Sequence, residues 1–170
     1  MTAEGVFIEF SERKLRQLSQ RIGVCLSKLS EDQIWARNTP NENAIGNIVL
    51  HLCGNLRQWI GHGVGGRTDV RDRDSEFNAI GGLSVTELRL RLDGAVADSI
   101  ATIELLPVAD LLTLIQVQKY EIPKMEAIYH AVEHFAQHTG QIIFATKLLT
   151  GEELGFYTHL RNPAHGEKTP

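Results

Sequence analysis

His130-Ala-Val-Glu-His134-Phe-Ala-Gln-His138-Thr-Gly-Gln141-Ile-Ile-Phe-Ala145-Thr-Lys-Leu-Leu149 is the stretch whose reading decides the fold. At about 100° per residue, with His138 as the zero direction, Ala131, Phe135, Ile142, Ala145 and Leu149 fall within roughly 60° of it. That is one apolar stripe of a helix with a histidine at its centre. His134 falls about 40° to one side and one turn away along the axis. Both imidazoles therefore lie on the face a helix turns toward a core and can point at one ion, the geometric reason metal-binding helices carry histidines four apart. Ala131 and Ala145 leave room beside them. His130 lies about 80° round, at the edge of the stripe.

Working outward, Pro123 suits the first turn of this helix, where its missing N–H costs nothing. Gly151 stands where a C-cap residue belongs. Three further segments carry the same period. Phe7 to Leu29 repeats apolar residues at spacings of three, four and seven (Leu15, Leu18, Ile22, Cys25, Leu29). Ala44 to Ile60 does so through Ile45, Ile48, Leu52, Leu56 and Trp59, and ends in Gly61, Gly63, Gly65 and Gly66, a helix stop and mobile turn. Ser84 followed by Glu87 is a capping-box spacing, and the pattern then runs to about Leu106 before Pro107. Leu111 to Tyr120, with Thr113, Ile115, Val117 and Tyr120, favours an extended or short β-like connection. The reading is all-α: a four-helix bundle with a long, partly extended connection before the last helix.

The chain has 170 residues, 42% hydrophobic and 22% charged, with a net charge of −4. These numbers suit one domain over residues 1–170. The slight negative charge argues against a nucleic-acid surface. No stretch approaches the length of a membrane span, and MTAEGVFIEF lacks the pattern of a secretion signal. Cys25 and Cys53, without a CxxC, read as reduced buried thiols. A cytoplasmic protein is expected.

A third ligand should come from another helix, and His51 is the best placed. It flanks the Ile48–Leu52–Trp59 stripe, with Asn55 one turn on along the same flank. Three histidines with open positions are the mark of a catalytic rather than a structural metal site. The same histidines could instead be satisfied by hydrogen bonds in a core. HExxH is absent, Glu-x-x-His is absent, and Cys53 projects about 160° from His51. Glu133, about 100° from His134, is poorly placed as a base. Tyr129 and Tyr157 are further polar candidates for a pocket. Arg71-Asp-Arg-Asp74 reads as a solvated loop, an inter-helix ion-pair cluster or a pocket lining. Trp35 and Trp59 read as core or interface anchors, and His62, His159 and His165 as exposed loop residues.

Three stretches carry a resemblance: Asn43 to Trp59, Arg71 to Phe77, and Glu126 to Gln141, whose histidine-to-Gly-Gln ending is the most specific part. On these the chain resembles the DinB-like superfamily, which includes the YfiT-type metal proteins, and more narrowly an uncharacterised bacterial branch of it. Many relatives have Arg in place of Thr139 and Asn in place of Glu133. The resemblance implies a four-helix bundle, commonly a homodimer. It also implies one divalent metal ion on His51, His134 and His138 with Gln141 beside them, while Asn55 and His130 are candidates around the ion by their helix positions alone. Zinc or nickel are the first expectations, iron or copper the next. It further implies a thiol-dependent S-transferase acting on a small-molecule substrate with a low-molecular-weight thiol. The rival expectation is a dimeric bundle that binds a metal or small ligand and catalyses nothing.

Overall fold

The computed structural model describes residues 2–162 together with Ala164, Gly166, Glu167 and Thr169. His165 lies outside the described residues. Each of the four patterned segments is a helix: α1 (Ala3–Leu26), α3 (Ile45–Leu56), α5 (Val85–Glu104) and α6 (Lys124–Thr150). Two short helices, α2 (Glu31–Trp35) and α4 (Arg73–Asn78), lie in the connections. α1 begins earlier than the expected Phe7, because Thr2 caps it by accepting from the Gly5 N–H at 3.2 Å. The expected box on α5 is present: Ser84 Oγ accepts from Glu87 N–H and the Glu87 carboxylate accepts from Ser84 N–H. Gly151 closes α6 in the left-handed conformation, at φ 68°.

The glycine-rich segment departs from expectation. The chain does not stop at Ile60 but continues from α3 as a π-helical stretch, Arg57–Val64. Gly61 and Gly63 are buried within it, and the left-handed turn comes only at Gly66, φ 70°. His62 is half-buried there, its ring nitrogen 2.6 Å from the Arg67 carbonyl, rather than in an exposed loop. The expected extended connection is half of a hairpin. β1 (Leu114–Val117) pairs antiparallel with β2 (Tyr120–Pro123), Val117 opposite Tyr120, which leaves Gln118-Lys119 as the turn. Gln118 has φ 54°, the one positive φ outside glycine among the described residues.

α1 packs on α5 and α6, and α3 packs on the same two, so α1 and α3 occupy opposite corners of an all-α bundle. The steps α1 to α3 and α5 to α6 are therefore diagonal, and the long connections carrying α2 and the hairpin span them. Leu15, Ile22, Leu52, Leu56, Leu88, Leu92 and Phe135 are fully buried at the centre, each worth about 1.5–3 kcal/mol. Leu149, placed on the core stripe by periodicity, is exposed, although Thr146, one turn before it, is buried. Cys25 and Cys53 are buried and unpaired, and burial pushes the Cys53 thiol up to about 12. Among the described residues no helix is long and apolar enough to cross a membrane.

Candidate metal centre

α3 and α6, neighbours in the bundle, bring His51, His134 and His138 together. Their possible ligating atoms all lie within 4.8 Å of one another. His51 Nε2 is 3.1 Å from His134 Nε2. Two nitrogens bound to one tetrahedral ion, each about 2.1 Å from it, would be about 3.4 Å apart. The ring of His138 lies 4.5 Å from that of His134 and 5.0 Å from that of His51, centroid to centroid.

The far sides of two rings are tied down. His138 Nδ1–H donates to Gln141 Oε1 at 2.7 Å. This fixes its tautomer and leaves the Nε2 lone pair free. His51 Nδ1 lies 3.0 Å from Glu76 Oε2 and 3.0 Å from Arg71 Nη2. Two donors cannot bond each other, so the His51 proton goes to the carboxylate and the Arg71 hydrogen goes to the same Glu76 oxygen, at 2.8 Å. Arg71 Nε meets Glu76 Oε1 at 2.8 Å, completing a bidentate fork. A histidine donating its outer N–H to a carboxylate is the arrangement that orients metal ligands. Gln141, one turn beyond His138, is the partner that accepts from it. Glu76, which does the same for His51, was not foreseen.

Burial first, then the neighbouring His138, His51 and His130 and the Arg71 charge, holds His134 down to about 3. Burial likewise lowers His138, with the Gln141 hydrogen bond opposing it, and lowers His130. Burial alone would raise the Glu76 carboxyl, but its hydrogen bonds to Arg71 and His51 outweigh that and hold it below the usual range. The centre is thus three imidazoles whose ring nitrogens converge, His134 and His138 held toward the neutral form by burial, with a buried carboxylate behind His51. That is the donor set a borderline divalent cation takes, and the three histidines form a group that could hold one.

Local sequence explains how Glu76 arrives. Asp72 caps α4 by accepting from Ser75 N–H at 3.2 Å. Buried Asn47 donates to the carbonyls of Glu76 and Ala79 at 2.9 and 2.8 Å, pinning α4 to α3. The Asp72-to-Ser75 spacing was the one available signal. The pairing of Arg71 with Glu76 and His51 had none, because it depends on how the connection folds back. Of the three readings of Arg71 to Asp74, the ion pair and the pocket lining describe Arg71, whose side chain is 4% exposed.

Two cavities of about 610 Å³ each border the histidines. His51, His134 and Arg73 border both. The first has a wall of Trp59 against His130 (4.0 Å between ring centroids) and Tyr120 (6.2 Å), with Asn55 beside it. The second adds His138, Gln137 and Asn78. His130 therefore lies off the ligand cluster and in the aromatic wall. Trp59 is both buried and part of that wall. Trp35 is half-buried and donates to the Leu83 carbonyl. Glu133, Tyr129 and Tyr157 are exposed and border neither cavity.

Solved structures share the fold. A conserved protein from Enterococcus faecalis matches with a TM-score of 0.70 at 13% identity, covering 89% of this chain and 99% of its own. A DinB-like protein of Bacillus subtilis, YjoA, matches at 0.66 and 16% identity, covering 86% and 96%. A DinB-like protein of Bacillus cereus matches at 0.64 and 12%, covering 79% and 87%. At such identities the likeness is one of fold. No protein of curated function matches the sequence. The profile of the family described as Protein of unknown function (DUF1572) matches residues 3–162. The chain belongs to that family, built on the DinB-like fold.

Proposed function

We propose that this protein binds one divalent metal ion, zinc or nickel, on His51, His134 and His138, and uses it as a thiol-dependent S-transferase on a small molecule. The observation that carries the metal reading is the convergence of three imidazoles whose outer nitrogens, on His51 and His138, are already bonded to Glu76 and Gln141. An ion on three neutral ligands supplies Lewis acidity that lowers the pKa of a water or thiol toward neutrality. The protein's own residues orient the ligands, exclude protons from His134 by burial, and leave two cavities in which two reactants can meet. A homodimer, which rests on the family resemblance, and a cytoplasmic location, which rests on the free buried Cys25 and Cys53, are part of the same reading.

A non-catalytic metal- or ligand-binding bundle is the second reading. One observation favours it: Glu76, the carboxylate beside the histidines, is committed to Arg71 and His51 and is not free to move a proton. Elemental analysis of protein purified without chelator, beside His138→Ala, tests the metal. About one equivalent in the wild type and none in the variant is expected. No metal in either, even after incubation with zinc or nickel, rejects the metal-dependent enzyme and leaves, of the second reading, only the binding of a small ligand. Thiol-transfer assays on metal-loaded protein then separate the enzyme from the binding module.

A further inference from the structure

Asn55 is a buried polar side chain with nothing to bond. It is 4% exposed and borders the aromatic-walled cavity, and no group among the described residues hydrogen-bonds its carboxamide. Asn47, on the same helix, shows what a structural asparagine looks like here: its oxygen accepts from Arg37 and from the Ala44 N–H, and its nitrogen donates to two carbonyls. Buried polar groups are kept only when something satisfies them. Trp59 Nε1 and His134 Nδ1 are sealed without partners, whereas the Asn55 carboxamide is not sealed from the cavity it borders. Its partner must come from that cavity.

The same cavity offers two further features. Arg73 borders both this cavity and the second, its guanidinium 4.8 Å over the Phe77 ring of the second, with no carboxylate partner among the described residues. Trp59, His130 and Tyr120 line the first with aromatic rings, those of His130 and Tyr120 tilted 45° and 33° from the plane of Trp59. A volume of about 610 Å³ is of the size that encloses a small organic molecule.

We propose that this cavity binds a small organic acid with a flat, unsaturated body. Arg73 takes the carboxylate and the aromatic wall takes the body. Asn55 takes a hydroxyl, carbonyl or amide at the other end. This rests on reading the three histidines as the reacting centre, because Asn55 lies one helical turn from His51 and so sets which end of the ligand faces them. Asn55 is here a residue that selects the ligand, and Arg73 one that anchors it.

The test uses para-hydroxycinnamate, with cinnamate (no hydroxyl) and para-hydroxycinnamyl alcohol (no carboxylate) as controls. Binding is read from the indole N–H signals of the two tryptophans, on zinc-loaded and on chelator-treated protein. The Trp59 signal should move and that of Trp35, held to the Leu83 carbonyl, should not. Asn55→Ala should weaken para-hydroxycinnamate about tenfold and leave cinnamate unchanged. Because the Asn55 carboxamide makes no hydrogen bond to the protein among the described residues, that variant should melt no lower than the wild type. Arg73→Gln, at an exposed position, should weaken both acids and spare the alcohol. Gln137→Ala, in the second cavity, should change none of them. Binding that survives chelator and depends on Asn55 upholds the inference even where the metal reading fails. Zinc bound at one equivalent with no movement of Trp59, or equal losses for hydroxylated and unhydroxylated acids in Asn55→Ala, overturns it and leaves the metal reading standing.

Discussion

Glu76 is the residue that aims His51. Its carboxylate takes the Nδ1 proton and thereby points the Nε2 lone pair at His134. Glu76→Gln keeps the shape but loses the charge that strengthens the imidazole as a donor, and should weaken metal binding about 10–100-fold in a chelator competition. Unchanged affinity would make Glu76 a purely structural partner of Arg71. The imidazoles also set a pH dependence for the metal-free protein. His134 is lowered to about 3, and His130 and His138 are lowered as well. A lowered folded value means that the unfolded chain takes up the protons first, so stability present above about pH 6.5 is lost as pH falls below it. Each histidine contributes a slope of at most about 1.4 kcal/mol per pH unit. Glu76, also lowered, adds a loss at more acid pH, below its unfolded carboxyl range. Urea unfolding in chelator between pH 8 and 4 should show stability falling from about pH 6.5 downward. A flat profile to pH 4 would contradict the burial of these rings.

At the scale of the element, the centre depends on how closely α4 lies on α3. Gly54 is the point of contact: a Cβ there would sit 1.8 Å from Glu76 Oε1 and 3.0 Å from Arg71 Nε. No rotamer of an ionised carboxylate pinned by a bidentate arginine relieves that overlap cheaply. Gly54→Ala should therefore cost about 1–3 kcal/mol of stability, measured by chemical unfolding, and weaken metal binding with it. A neutral effect would mean that α4 can lift off α3 without consequence. The helices themselves were legible to differing degrees. The Ser84–Glu87 box and the Gly151 cap act within a few residues, and both stand where local chemistry puts them. α2 and α4, of five and six residues, are too short to show a period. The π-helical stretch defeats a reading by propensity, because the buried packing of Trp59, Ile60 and Val64 outweighs the cost of Gly61 and Gly63 in a helix.

For the whole molecule, the proposed ion joins α3 to α6, two of the four long helices. An ion bound only by the folded chain stabilises it by mass action, about 2.7 kcal/mol at a hundredfold excess over its dissociation constant. Zinc or nickel should raise the melting temperature of the wild type, and chelator should reverse the rise. His51→Ala should abolish it, because the bridge loses its α3 end. A melting temperature indifferent to metal in the wild type would argue that the histidines are core residues and nothing more.

The sequence by itself determined the long helices and the face that each one buries, because a period of about 3.6 residues is a local property of the chain. It also determined which histidines belong together, since His134 and His138 share a turn of one helix and His51 lies on the inner shoulder of another. Only the tertiary structure decided what surrounds them. Arg71 and Glu76 come from a connection whose path is set by Asn47 and by the room Gly54 leaves. Tyr120 reaches the cavity from a hairpin, and His130 packs against Trp59 in the wall of that cavity. Ligand spacing is written along one helix, whereas the orientation of the ligands and the shape of the space before them arise from segments far apart in the chain.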